Sequence, residues 1–533
     1  LSKPKSITAI ATIVAIATLL SKLAGLVRQV ALAAAFGTQP VIDAYNYAYV
    51  IPGFLLILLG GINGPFHSAI VSALAKRDQR DAGPLVETIT TLISLILIGL
   101  CVLLFFCADP LISLTAAGLD DTTHQLAVQQ LRIMTPMALL AGLIGIGYGT
   151  LSSADMYWLP SISPLLSSIT VVLGIGWLWL TLGKDLLNPE HAVLGGAVLA
   201  GSTLAGAVLQ WLVQIPPQWK AGLGTLRPRF NFKRDGVAEV MKVLGPATFS
   251  SGTLQINVWV DLFFTSSIAG AAASMGYANL LVQTPLGILS SMLLVPMLPV
   301  FARLAAPENW PELKGRIRQA MMLTALSMLP LGALMIGLAN PIVKLVYERG
   351  AFNAQSVTMT TGLLMSYSFG MFVYLGRDMM VRVFYALGDG DTPFRLSLLN
   401  ILLNVFFDWF FARVLGWDAP GIVLSTVMVN FISLVVFWLI LNRRLRGLPS
   451  RTLGVSILGV GLASVGGGLA GGFTSVGLQS LWSPVGLIPQ AVQLALSGIV
   501  GVSAFVLLAW PMKVPEMHTL TQKITQRLPF AKK

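Results

Sequence analysis

Apolar segments of about 20 residues or more recur fourteen times along the chain, near 7–36, 42–75, 86–108, 124–151, 159–183, 191–215, 239–268, 273–302, 317–340, 359–387, 394–415, 418–442, 452–474 and 489–512. About 20 apolar residues in a helix cross the hydrocarbon of a bilayer. Inside it, each backbone polar group must be satisfied within the protein. The pattern therefore predicts an all-α polytopic membrane protein with about 14 transmembrane helices. Only 11% of the 533 residues are charged, against roughly a quarter in soluble chains. No cleavage pattern follows the first segment, so that span is expected to be retained.

The net charge of +12 would suit nucleic-acid binding, but its distribution points elsewhere. With Lys3 and Lys5 placed in the cytoplasm, the even-numbered loops and both tails hold 25 of the 34 basic residues, and the odd-numbered loops hold Lys184, Lys344, Arg349 and Arg413. This is the asymmetry of a multi-pass protein with both termini cytoplasmic. It accounts for the basic balance as topology, with no nucleic-acid partner. Cys101 and Cys107 share one apolar run and the four histidines are scattered. Neither a disulfide framework, nor a metal site, nor a cofactor site follows. No nucleophile–base or metal constellation appears, so an enzyme is not expected.

Segment spacing divides the chain into a first lobe of six spans (1–215), a cytoplasmic connector (216–238), a second lobe of six spans (239–443), and two further spans with a tail (444–533). A weak repeat links the lobes. Tyr47-Ala48-Tyr49 before Pro52-Gly53 resembles Tyr277-Ala278-Asn279 before Pro285. Leu151 to Asp155 resembles Leu387 to Asp391, at offsets of about 230 to 236. Six spans separate the copies, which implies a parallel repeat with a site between the halves. Gly64-Pro65, Pro52, Pro285, Pro296 and Pro299 are expected to break spans two and eight, as cavity-lining helices tolerate.

Five cations lie inside spans: Lys22, Arg28, Arg132, Arg377 and Arg382. Such residues cost a few kcal/mol or more in hydrocarbon and face an aqueous cavity or a partner. Lys22 and Arg28 are six apart, on different faces of an ideal helix, with Gly25 between them as a possible bend. Arg28 is also close enough to the outer end to snorkel. Asp378 and Arg382, four apart, suit a self-neutralising pair that leaves Arg377 for solvent or substrate. Polar stripes run along span seven (Ser250, Thr253, Asn257, Asp261), span eight (Asn279, Gln283) and span eleven (Asn400, Asn404, Asp408). They suit either interhelical hydrogen bonding or the lining of a route. Asp261 needs a partner or a proton.

Several motifs together resemble one family. Ser21-Lys22-Leu23-Ala24-Gly25-Leu26-Val27-Arg28 is similar to the S-[RK]-x-x-G-x-x-R opening of the MurJ (MviN) lipid II flippases, and Asp43-Ala44-Tyr45 follows like that family's D-A-F. Leu244-Gly245-Pro246 opens span seven as in the family, and Tyr347 to Phe352 resembles its aromatic-x-x-G-x-F turn. The most specific stretch is Arg382 to Pro393, which resembles R-x-F-Y-A-x-x-D-x-x-T-P. The resemblance implies a fourteen-helix member of the multidrug/oligosaccharidyl-lipid/polysaccharide exporter superfamily, with two six-helix lobes around a cavity and two added helices beside a lipid-tail groove. It implies transport of undecaprenyl-pyrophosphate-linked peptidoglycan precursor by alternating access, dependent on membrane potential, in cell-wall biogenesis and cell shape, and with it a location in the bacterial inner membrane. Lys22 and Arg28 would grip the pyrophosphate. Asp43, Asp261, Asn279, Gln283, Arg377 and Arg382 complete the expected substrate-binding set, with no cofactor.

The chain also departs from the family pattern. Leu56, Ile57, Gly61 and Leu280 stand where the family usually carries charge. A different polyprenyl-linked glycan, a drug/cation antiporter activity of the same superfamily, or a non-transporting cell-wall scaffold are the competing expectations.

Overall fold

The computed structural model describes residues 7–61, 64–75, 79–224, 226–234, 236–242, 244, 255–294, 296–482 and 486–512. Among the described residues the regular elements are all helices. Eleven helical stretches are long and apolar enough to span a membrane, or twelve if a pair bent by 41° counts as one. Of span seven only its later part is described; Gly245, Pro246, Ser250 and Thr253 lie outside, as do Lys3, Lys5, Lys76 and Arg77. Span ten is two 16-residue helices meeting at Gly370.

The chain divides into two compact units, Leu1–Ala273 with Arg349–Asn353, and Ser274–Glu348 with Ala354–Lys533. The division falls at Ala273 rather than at the sequence-based boundary of 239. The end of span seven packs within the first unit, and the last two spans group with the second.

The first unit contains α1 (Ile7–Phe36), α2 (Pro40–Gly60), α3 (Pro65–Leu74), α4 (Gln79–Phe106), α5 (Ala108–Thr115), α6 (Asp121–Met134), α7 (Met137–Ser153), α8 (Trp158–Ile162), α9 (Pro164–Leu182), α10 (Ala192–Leu212), α11 (Ile215–Lys220) and α12 (Ile256–Thr265). Proline opens α2, α3 and α9, where its missing N–H costs nothing. Span two breaks at Gly61, which is extended, and restarts at Gly64-Pro65; the helix runs on through Pro52. Leu58, Phe66, Ile70, Leu85 and Ile89 form a buried core of α2, α3 and α4. The connector is docked on α4. Arg229 donates to the buried Glu87 carboxylate, its amide donates to Thr91 Oγ1 at 3.0 Å, and Arg234 pairs with Asp81 at 2.9 Å.

A short segment, Arg349–Asn353, also belongs to the first unit. The Ala351 amide donates to the Ala34 carbonyl at 2.8 Å. Gly350 (φ +58°) and Gly37 (φ +56°) stand where an added Cβ would strike the carbonyls of Ala34 and Ala351 respectively.

The second unit takes most of α13 (Ala271–Leu293), then α14 (Met297–Arg303), α15 (Trp310–Gly337), α16 (Ala339–Tyr347), α17 (Ala354–Phe369), α18 (Met371–Ala386), α19 (Asp391–Asp408), α20 (Asp418–Arg444), α21 (Ser450–Trp482) and α22 (Leu487–Ala509). Span eight runs through Pro285 and α14 restarts after Pro296. Span eleven's polar stripe is structural. Ser433 of α20 donates to Asn400 at 2.7 Å, and Asn404 donates to Asp408 at 2.7 Å, all four buried. The glycines of span thirteen permit close packing. A Cβ on Gly467 would lie 2.8 Å from the Gly501 carbonyl of α22, and one on Gly472 would lie 3.2 Å from the Gly337 carbonyl of α15.

The repeat has a structural counterpart in each unit. Tyr47 and Ala48 are buried, as are Tyr277 and Ala278. The Met156 amide donates to the Leu151 carbonyl after Asp155 (φ +58°), and the Asp389 amide donates to the Phe384 carbonyl after Gly388 (φ +73°). Both are the six-to-one bond of a Schellman helix end. Pro52 and Pro285 are 233 positions apart, as are Asp155 and Gly388. The second pair therefore matches three positions away from the alignment read on Leu151 and Leu387.

In the second of these turns, Asp389 accepts from the Thr392 amide (3.0 Å) and hydroxyl (2.9 Å) and pairs with Arg444 at 2.8 Å. Burial pushes its carboxyl up, but the Thr392 and Arg444 contacts outweigh it and hold the group below the usual range. Its stabilisation is present above the unfolded value near 3.9 and is lost as pH falls through the lower folded value. Asp389→Asn is therefore expected to lower the thermal midpoint at neutral pH by the equivalent of about 1 kcal/mol. The difference from wild type should close below about pH 4 in a melting series.

Candidate functional site

Arg28 is the most constrained of the expected site residues. Helix α1 continues without interruption through Gly25, so Lys22 and Arg28 project roughly 120° apart. Lys22 is exposed. Arg28 is half-buried, and its Nε is buried with no hydrogen-bond partner among the described residues. The guanidinium lies within electrostatic reach of Tyr45 on α2. The Tyr45 hydroxyl bonds Thr203 Oγ1 of α10 at 3.0 Å, and its ring stacks on Tyr49 at 5.5 Å. Arg28 Nε is thus shielded from solvent on the side of the helix that neighbours Tyr45. An orphaned, charged donor at this depth is costly, and its cost is offset when an oxyanion meets it. The Tyr45–Thr203 bond that shapes this corner was not singled out in the sequence; the D-A-Y motif was its only signal.

Asp43 is held by backbone amides. Its carboxylate is buried, with Oδ2 accepting from the Gly270 amide at 3.0 Å and Oδ1 from the Ala273 amide at 2.9 Å. It caps the start of α13, where free amides and the helix dipole favour an anion. Asp261 is half-buried on α12, on the same face as Asn257, whose Oδ1 is buried and unpartnered.

In the second unit, Asn279 is half-buried and Gln283 exposed on α13. Asp378 pairs with its neighbour Arg377 at 3.3 Å, not with Arg382 as the four-residue spacing suggested. The Asp378 carboxyl is 55% exposed and the Arg377 side chain 23%. Arg377 keeps a buried, unpartnered Nε, and Arg382 is half-buried. Of the positions where charge was expected, Leu56 packs on the first unit's core and Ile57 is 74% exposed, while Leu280 is half-buried. A mostly apolar groove of about 330 Å³ lies between α15 and α21, lined by Ile336, Gly337, Gly468, Leu469, Gly472 and Phe473.

The family model described as "Lipid II flippase MurJ" matches residues 32–492. The chain belongs to the MurJ family. A MurJ relative from Synechocystis sp., described as "Probable lipid II flippase MurJ", is 53% identical over 523 residues, 98% of each chain. The "Lipid II flippase MurJ" of Burkholderia cenocepacia is 27% identical over 437 residues, 80% of this chain and 82% of that one. A solved MurJ in an inward closed conformation superposes with a TM-score of 0.73 at 23% identity, covering 93% of this chain and 97% of its own. An inward-facing MATE transporter of the MOP superfamily superposes with a TM-score of 0.63 at 15% identity, covering 82% and 98%. These two establish the fold: a polytopic membrane protein of the MurJ and MATE type. The family match begins just past Arg28, whereas the Synechocystis alignment takes in nearly the whole chain.

Proposed function

We propose that this chain translocates lipid II across the cytoplasmic membrane by alternating access, with its N- and C-termini in the cytoplasm. The observation that carries the reading is the 53% identity, over 98% of both chains, to a protein described as a probable lipid II flippase. Arg28 supports it from the side of chemistry, as a half-buried arginine whose Nε is buried without a partner among the described residues, inside a membrane-spanning helix. The cargo is a lipid-linked pyrophosphate, and Lys22 and Arg28 hold its oxyanions by charge-assisted hydrogen bonds. Asn257, Asp261, Asn279, Gln283, Arg377 and Arg382 line the route, and the apolar groove between α15 and α21 receives the polyprenyl tail. The distribution of basic loops supports the orientation.

Expression of the chain in a bacterium depleted of its own flippase tests the reading. Growth and rod shape are expected to return at ordinary expression. Failure to rescue by protein that is present in the membrane at normal levels would overturn lipid II as the cargo.

A further inference from the structure

At the shared end of α4, α5 and α6 lies a cavity of about 580 Å³ that the proposed transport route does not use. We infer that it is a binding site for an anionic lipid headgroup, with Arg132 as the anchor of the headgroup oxyanion.

Its size falls in the range of small-molecule sites. Gln125, Gln129 and Arg132 are spaced four and three along α6, so they share one face, and all three line the cavity. Together they offer two amide groups and a guanidinium fork, the donor set that suits a phosphate or sulfonate. The Arg132 guanidinium sits 5.8 Å from the centre of the Phe105 ring, which holds it over the cavity. It makes no ion pair among the described residues. The cavity's one carboxylate, Asp109, is next to His124 at 3.7 Å, and His124 also bonds Ser113 at 3.1 Å. Asp109 thus lies beside the imidazole, and no ion pair joins it to the guanidinium among the described residues.

The surroundings favour a lipid over a free ion. Val102, Leu103, Phe105 and Phe106 are 45–75% exposed along the last turns of α4. A continuous apolar strip therefore leads from the membrane-spanning helix to the cation. That pairing of an acyl-chain track with a basic pocket at the end of a span is how membrane proteins hold lipid headgroups. Only the leaflet, the outer one, rests on the orientation proposed above; the site does not.

The test is native mass spectrometry of the full-length protein taken from vesicles of equal parts phosphatidylcholine and phosphatidylglycerol. Wild type is expected to retain phosphatidylglycerol selectively, and Arg132→Gln to retain about tenfold less. The variant should keep its elution profile and melting temperature, because Arg132 is exposed. Asp109→Asn is expected to retain as much phosphatidylglycerol as wild type or more. Inorganic phosphate should fail to displace the bound lipid. Equal retention by wild type and Arg132→Gln, or equal retention of both lipids by wild type, overturns the inference. So does loss of retention in Asp109→Asn, or displacement by phosphate alone. Rescue of flippase-depleted cells by Arg132→Gln would leave this inference standing, since the cavity lies outside the transport route; failure of the wild type to rescue bears on the transport reading alone.

Discussion

Arg28→Ala is expected to abolish rescue of flippase-depleted cells while the protein accumulates in the membrane at its normal level. Each charge-assisted hydrogen bond to a buried oxyanion contributes about 1.5–3 kcal/mol. Loss of one from the transported state slows transport by roughly ten- to a hundredfold. Because Arg28 Nε has no partner among the described residues, the alanine variant is expected to forfeit cargo contact and relieve a desolvated donor. Its folded protein should be no less stable than wild type. Arg28→Lys should rescue partly, keeping the charge but losing the fork. Normal growth on Arg28→Ala would mean that the guanidinium serves packing against α2.

The second large effect is on folding. Gly350→Ala is expected to lose most of its folded yield, read as the monodisperse peak remaining after heating in detergent. Gly350 sits at φ +58°, and its added Cβ would collide with the Ala34 carbonyl, which already accepts from Ala351. The left-handed conformation costs an alanine roughly 1–2 kcal/mol, and overpacking against fixed backbone adds about 1–3 kcal/mol. Gly222 provides the control: φ is +68° at a helix end closed by the Leu223 amide on the Gln218 carbonyl, with nothing within 4 Å of an added Cβ. Gly222→Ala should show the conformational cost alone. Equal losses in the two variants would leave no role for the contact between α1 and residues 349–353.

The fold class was legible because the length and spacing of apolar segments are local properties. The points of breakage were less so. Pro52 and Pro285 look like breaks in sequence, yet the helices pass through them, while Gly64-Pro65 and Pro296 open the helices that follow the breaks. A proline inside a helix is tolerated when packing re-satisfies the freed carbonyl, and that packing is not written next to it. Asp43 shows the same limit. Its motif is recognisable, but its partners are amides 227 and 230 positions away, so nothing beside it in sequence announces the cap it forms. The stretch from Arg382 to Pro393, the most specific sequence signature, contains a helix end, a Gly388 turn and the Asp389 cap on Thr392. Its specificity follows from turn chemistry. Arg28 stands out in sequence because no acidic residue lies within a helical turn of it, and the structure leaves its Nε buried without a partner among the described residues.

The most direct test is to follow labelled lipid II in cells whose only flippase is this chain, using an added hydrolase that cleaves the precursor only at the outer leaflet. Cleavage should proceed with wild type and fall to background within minutes of shutting off the chain or replacing it by Arg28→Ala. Undiminished cleavage after shut-off would mean that the precursor crosses the membrane by another route, and the assignment of this chain as its carrier would be wrong.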